Sequence, residues 1–219
     1  MVTFSFFPYM VMPLASLALL LIILVKVSSN LKQRSRQYFF VTVIILTLWN
    51  LGDLLYPGLD DYNLSKLILN AILILISMVP TFFGLSVVSL YKKPKGYELA
   101  LFMLSLLIIP IIIISPFELR STEFGWQPIY SEDPIFPLWI TMLFITFLYA
   151  CANMVKVMSA LKDKESRKRV MYMLVGSLLG IAFGVIVIVL SVGLDMTPLP
   201  VGSFGMVIFT LSMFLAYFR

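Results

Sequence analysis

The chain has 219 residues, 61% of them hydrophobic and only 12% charged, with a net charge of +5. A soluble domain of this size carries about a quarter of its residues as charges, and the apolar segments use up nearly the whole length, which leaves no room for a soluble catalytic or nucleic-acid-binding domain. With no histidine and a single cysteine, Cys151, an intramolecular disulfide, bis-His haem, His-ligated zinc or copper and imidazole proton relays are excluded; neither cofactor nor metal is expected.

A bilayer core about 30 Å thick needs about 20 apolar helical residues. Seven segments are read as such spans: 6–27, 38–56, 64–91, 98–115, 135–158, 170–194 and 201–219. Runs this long and continuous do not alternate as barrel strands would. The first lacks the positive leader of a cleavable signal, since its first cation, Lys26, follows the apolar run. The second holds Trp49-Asn50-Leu51-Gly52-Asp53. The third is long enough to tilt or to emerge from the membrane. It carries Asn70 and Pro80, and the fourth carries Pro110; each proline frees a carbonyl one turn back and is expected to bend its helix. The fifth contains Cys151, read as a small buried hydrophobe, and Asn153, which with Asn70 is expected to bond across helices. The sixth has Gly176, Gly180 and Gly184 at four-residue spacing, a flat strip for close approach of another helix; Gly202 and Gly205 of the seventh are candidates for the facing surface. A contact within the chain is favoured over a homodimer seam, which stays an alternative.

The charges give the sidedness. All of the 16 cations except Lys66 and Arg120 lie at the first, third and fifth connectors or at Arg219, whereas Asp60, Asp61, Glu118, Glu123, Glu132, Asp133 and Asp195 lie on the others. The positive-inside rule then places the N-terminus outside and the C-terminus in the cytoplasm, as an odd number of crossings requires. The run from Lys162 to Arg169 is expected to contact anionic lipid on the cytoplasmic face, with a docked protein as the alternative. The longest external connector, 117–134, mixes aromatic and polar groups (Phe124, Gly125, Trp126, Gln127, Pro128, Tyr130) that either anchor at headgroup level or cover the mouth of a bundle.

Asp53 is the one carboxylate embedded in a span, where an ionisable group costs roughly 2.5–3.5 kcal/mol at the centre and falls off toward the interface. Asn50 shares its helix face at a spacing of three, with Trp49 alongside. A cap or an inter-helix bond accounts for Asp53 as well as a ligand site does. The last span has no lysine for a retinal Schiff base, no span is dense in charge as an ion pump requires, and no Walker, zinc-protease or Ser/His/Asp arrangement is present. No enzyme activity is expected.

Several motifs, taken in order, resemble the seven-transmembrane N-terminal sensor region of prokaryotic histidine kinases. They are Leu48-Trp49-Asn50-Leu51-Gly52-Asp53, Pro80-Thr81-Phe82-Phe83 before Tyr91-Lys92-Lys93, Phe124-Gly125-Trp126-Gln127-Pro128, the basic stretch to Arg169 followed by the glycine-bearing sixth span, and Leu199-Pro200-Val201-Gly202 with Ala216-Tyr217-Phe218-Arg219. The resemblance implies one all-α domain over 1–219, a seven-helix bundle in the plasma membrane. In such relatives the last span continues into PAS, GAF, kinase or cyclase modules; this sequence stops at Arg219, which leaves a stand-alone sensor, a piece of a longer protein and a homologue put to another use as the readings, and a stand-alone sensor is expected to signal through a cytoplasmic partner.

The expected function is that of a sensor binding a small or lipophilic ligand reached from outside, with Trp49, Asn50, Asp53, Trp126, Gln127 and Tyr130 near the mouth of its pocket. The alternative is a non-catalytic accessory subunit of a larger membrane complex. A small transporter is the weaker rival, since the paired broken helices of internal repeats are not evident.

Overall fold

The computed structural model describes residues 7–90, 95–96, 99, 103–114, 117–122, 125–129, 136–188 and 201–218. Its helices are α1 (Phe7–Ser28), α2 (Arg34–Leu55), α3 (Tyr62–Val88), α4 (Ile109–Ile114), α5 (Phe136–Ala160), α6 (Lys164–Ile188) and α7 (Val201–Phe218). Between α4 and α5 the chain forms a two-stranded antiparallel ribbon, β1 (Leu119–Thr122) on β2 (Gly125–Pro128), which pairs Arg120 with Gln127 and Ser121 with Trp126. The class is all-α with this one small addition.

The helix starts follow from local chemistry. Asp61 accepts from the backbone N–H groups of Asn63 (2.8 Å) and Leu64 (3.1 Å) at the head of α3. Asp163 does the same for α6, taking the N–H of Glu165 (3.3 Å) and of Ser166 (2.9 Å). Each thereby satisfies donors that no earlier turn can reach.

The expected fourth helix is corrected in its described part. A 3₁₀ stretch, Leu104–Ile108, leads into the six-residue α4. Pro110 has no N–H for the Leu106 carbonyl, and the Ile109 N–H takes that carbonyl instead in the tighter pattern.

α1 packs on α2, α2 on α3, α3 on α5, α5 on α6, α6 on α7, and α7 back on α1, closing a ring of six helices. The 3₁₀ stretch lies against both α3 and α5. Side-chain pairs fix the directions. Gly52 faces Ile72, so α2 and α3 run antiparallel; Gly176 faces Ser212 and Gly180 faces Gly205, so α6 and α7 do too. Trp139 bonds Ser77 while Phe147 stacks on Phe83, so α3 and α5 run parallel. The 47 residues from 89 to 135 therefore bring the chain back to the end from which α3 set out. Lys32, Arg34, Arg36, Lys162, Lys164, Arg167, Lys168 and Arg169 gather at one end of the ring, and the ribbon with Lys66 and Arg120 at the other.

Among the described residues the apolar side chains gather in two cores. The larger runs through all six ring helices, with Leu20, Phe39, Leu46, Phe83, Met154 and Met213 among its members. Buried Phe83 and Phe209 form a triangle with half-buried Phe147, ring centroids 5.4–6.1 Å apart, within the range where stacked and edge-on aromatic pairs attract. The smaller core joins Leu69, Leu73, Ile112, Phe117, Leu119, Phe136 and Trp139 at the ribbon end.

Outward-facing apolar side chains are left uncovered, among them Val25 (73% exposed), Leu67 (67%) and Ile114 (83%). Among the described residues, Arg34–Gly58, Tyr62–Val88 and Phe136–Ala160 are each long and apolar enough to cross a membrane, and Pro13–Ser28 and Gly205–Ala216 are shorter apolar helices. Buried polar side chains mostly turn back on their own helix. Thr47, Asn50, Ser77, Thr146, Asn153 and Ser177 each donate to the carbonyl four residues earlier, which satisfies them without water. For Asn153 this replaces the expected bond across helices, and its Oδ1 stays buried without a partner.

Candidate functional site

At the ribbon end, the chain segments around the 117–128 hairpin are tied to the first turns of α3. Asn70 is buried, and its side chain matches the Phe117 peptide from both sides. The Phe117 N–H donates to Oδ1 (2.9 Å), and Nδ2 donates to the Phe117 carbonyl (3.3 Å) and to that of Lys66 (2.8 Å). One residue on, Glu118 reaches the solvent side. Lys66 Nζ donates to its Oε1 at 2.6 Å and the Tyr62 hydroxyl donates to Oε2. Those two donors, Lys66 foremost, hold the Glu118 carboxyl below its ordinary value.

The Trp126 indole N–H donates to the Leu59 carbonyl (2.8 Å), and its ring meets Tyr62 edge-on at 5.3 Å. The Ile129 N–H closes the hairpin on the Glu118 carbonyl at 3.0 Å. Beneath it, Phe117 meets Phe136 and Trp139 edge-on.

The residues expected at a pocket mouth fall into two groups. Trp49, Asn50 and Asp53 occupy the last two turns of α2. Asn50 is 3% exposed with its amide on the Leu46 carbonyl, so it faces the packed interior. Asp53 is half-buried with the Trp49 indole N–H beside it. It stands at the C-terminal end of α2, where the helix dipole repels a negative charge. Trp49 packs on the larger core and Trp126 on the smaller one, so the structure does not join the two indoles in one wall. Trp126 nevertheless caps the same end, because β2 lies on the 3₁₀ turn Tyr56–Gly58 that follows α2. Gln127 is opposite Arg120 in the ribbon, and Tyr130 lies outside the described residues.

Gly176 and Gly180 lie on α7 within the chain. A Cβ at Gly176 would overlap the Ser212 side chain, and one at Gly180 would sit 3.6 Å from both the Gly205 carbonyl oxygen and Phe209 Cβ. Gly184 follows one turn further along α6.

Lys66, Tyr62 and Glu118 were not singled out from the sequence. Their one legible sign is that Lys66 is, with Arg120, a cation on the acid-bearing connectors, where a carboxylate partner is the natural expectation. Among the described residues no group of three or more Cys, Asp or Glu side chains could hold a metal.

A ring of apolar helices with one end capped by a ribbon, and cations gathered at the other, defines a helical membrane module. The family model for the N-terminal 7TM region of histidine kinase matches residues 11–219, and the chain belongs to that family. The family is a sensor region and not a catalytic domain. A search of curated proteins finds no match.

Proposed function

We propose that the chain is a non-enzymatic, multi-pass sensor of the plasma membrane. It crosses seven times with its N-terminus outside, binds a small or lipophilic ligand at the ribbon end, and passes the change to a cytoplasmic signalling partner. The carrying observation is the built cap at that end: a hairpin held by Asn70, Lys66 and Tyr62, with Trp126 laid over the α2–α3 turn. Membership of a histidine-kinase sensor family supports the same reading.

The parallel course of α3 and α5 supports seven crossings, since the segment between them must return across the fold. The cation-rich end would face the cytoplasm and its anionic lipids. Trp49, Asp53, Trp126, Gln127 and Tyr130 would line the approach, with Asn50 fixing the wall behind them. A ligand acts by binding one arrangement of the bundle better than another.

The test is reconstitution of the full chain in nanodiscs, mass spectrometry of co-purifying small molecules, and tryptophan-fluorescence titration with each compound found. Saturable quenching that is lost in Trp126→Phe and Asp53→Asn supports the site. A stoichiometric protein partner with no bound small molecule would favour an accessory subunit instead.

A further inference from the structure

The two apolar cores meet on a layer of hydroxyls. α3 gives Leu69, Leu73, Ile74 and Ile76 to the ribbon-end core and Leu75, Met78, Val79, Phe83 and Leu85 to the bundle core, so the change falls within 74–78. α5 divides the same way, with Phe136, Trp139 and Leu143 on one side and Phe147, Ala150 and Met154 on the other. At the change of membership stand Ser77 in α3 and Thr146 in α5, with Thr81 one turn further on in the bundle-core part of α3, all fully buried. In the same turn of α3 lies Pro80, which has no N–H to offer the Ile76 carbonyl. Across the layer the Trp139 indole N–H donates to the Ser77 hydroxyl at 2.8 Å, and that hydroxyl donates to the Leu73 carbonyl at 2.8 Å.

We propose that this layer is an articulation: the ribbon, the first half of α3 with the α2–α3 turn packed on it, and the first turns of α5 tilt as one body against the rest of the ring, about Pro80, with the Trp139–Ser77 bond as the catch. A close-packed apolar core resists shear because many interdigitated contacts must break together. Small hydroxyl side chains interdigitate less, and those of Ser77 and Thr146 are already satisfied within their own helices. A helix short of one backbone hydrogen bond bends there most readily. Asn70 and Lys66 fasten the ribbon to α3 on the far side of Pro80 from Phe83. Any displacement of the ribbon is therefore delivered as a tilt of that half-helix onto the Phe83–Phe147–Phe209 triangle. The device does not depend on which ligand, if any, displaces the ribbon.

Hydrogen–deuterium exchange of the full chain in nanodiscs tests it. In the wild type, peptides covering 62–76 and 117–129 exchange together, several-fold faster than peptides covering 82–88 and 147–157. Trp139→Phe keeps an aromatic ring but removes the N–H together with the pyrrole half of the indole; it speeds the first set several-fold more and leaves the second unchanged. Pro80→Ala restores a backbone donor and slows 62–76 toward the bundle rate; should that variant not assemble, the comparison of wild type with Trp139→Phe decides. A single cooperative exchange of both sets, an equal response of both to Trp139→Phe, or an unchanged 62–76 rate in a folded Pro80→Ala would each overturn the articulation.

Discussion

Asn70 shows how much one buried amide carries. It holds both polar groups of the Phe117 residue, and Phe117 itself is 0% exposed. Asn70→Leu keeps the volume and strands that N–H and C=O, so a loss of about 1–3 kcal/mol is expected. It would be read as a lower melting temperature in micelles and faster proteolysis in the ribbon. Glu118, beside it, behaves differently because it is exposed. Its folded carboxyl titrates below the ordinary 4.5, so the unfolded chain binds the proton more tightly. The clasp thus stabilises above the ordinary glutamate range and is lost as the pH falls through the folded value. Solvent screening keeps the effect under about 1 kcal/mol. Melting in micelles from pH 7 to pH 3 should show this small acid loss, and Lys66→Met should flatten it. From the sequence Asn70 was expected to bond across helices, whereas its long-range partner is the Phe117 backbone, outside any helix; Phe117 is 47 residues away and its peptide carries no sequence signal.

At the scale of elements, small residues decide how close helices come. The spacing of Gly176, Gly180 and Gly184 was readable as a strip, and the facing surface on α7 includes Gly205 and Ser212. Gly176→Leu has nowhere to put its side chain without moving Ser212 and the α7 backbone beyond it. Overpacking of this kind costs about 1–3 kcal/mol. The expected result is a destabilised chain whose α6–α7 cysteine cross-links form more slowly, with the ribbon's tryptophan environment unchanged. The fourth element was the least readable. Pro110 was taken to bend a continuous helix, whereas among the described residues Leu99 and Met103 are helical and a 3₁₀ stretch, Leu104–Ile108, then leads into a short α-helix. A proline signals that a carbonyl is freed, but which nearby N–H collects it depends on the packing of the whole turn.

For the whole molecule, the parallel course of α3 and α5 and the clustering of cations at one end make a topology that labelling can check. In a Cys151→Ala background, Arg120→Cys on the ribbon should react with an impermeant maleimide on intact cells. Lys162→Cys should react only after permeabilisation. Reaction of both from the same side would break the proposed orientation.

Composition alone determined that the chain is a bundle of apolar helices with one cationic end. Lipid demands long helices whose backbone bonds are internal, and charge asymmetry accumulates along the chain in a form that needs no contacts to be read. Only the tertiary structure decided which helices are neighbours, that a ribbon is fastened over one end through Asn70 and Glu118, and that the described interior splits into two cores near Ser77 and Thr146. Those arrangements rest on pairs of residues far apart in the chain, and hydropathy, which each segment carries by itself, says nothing about pairs.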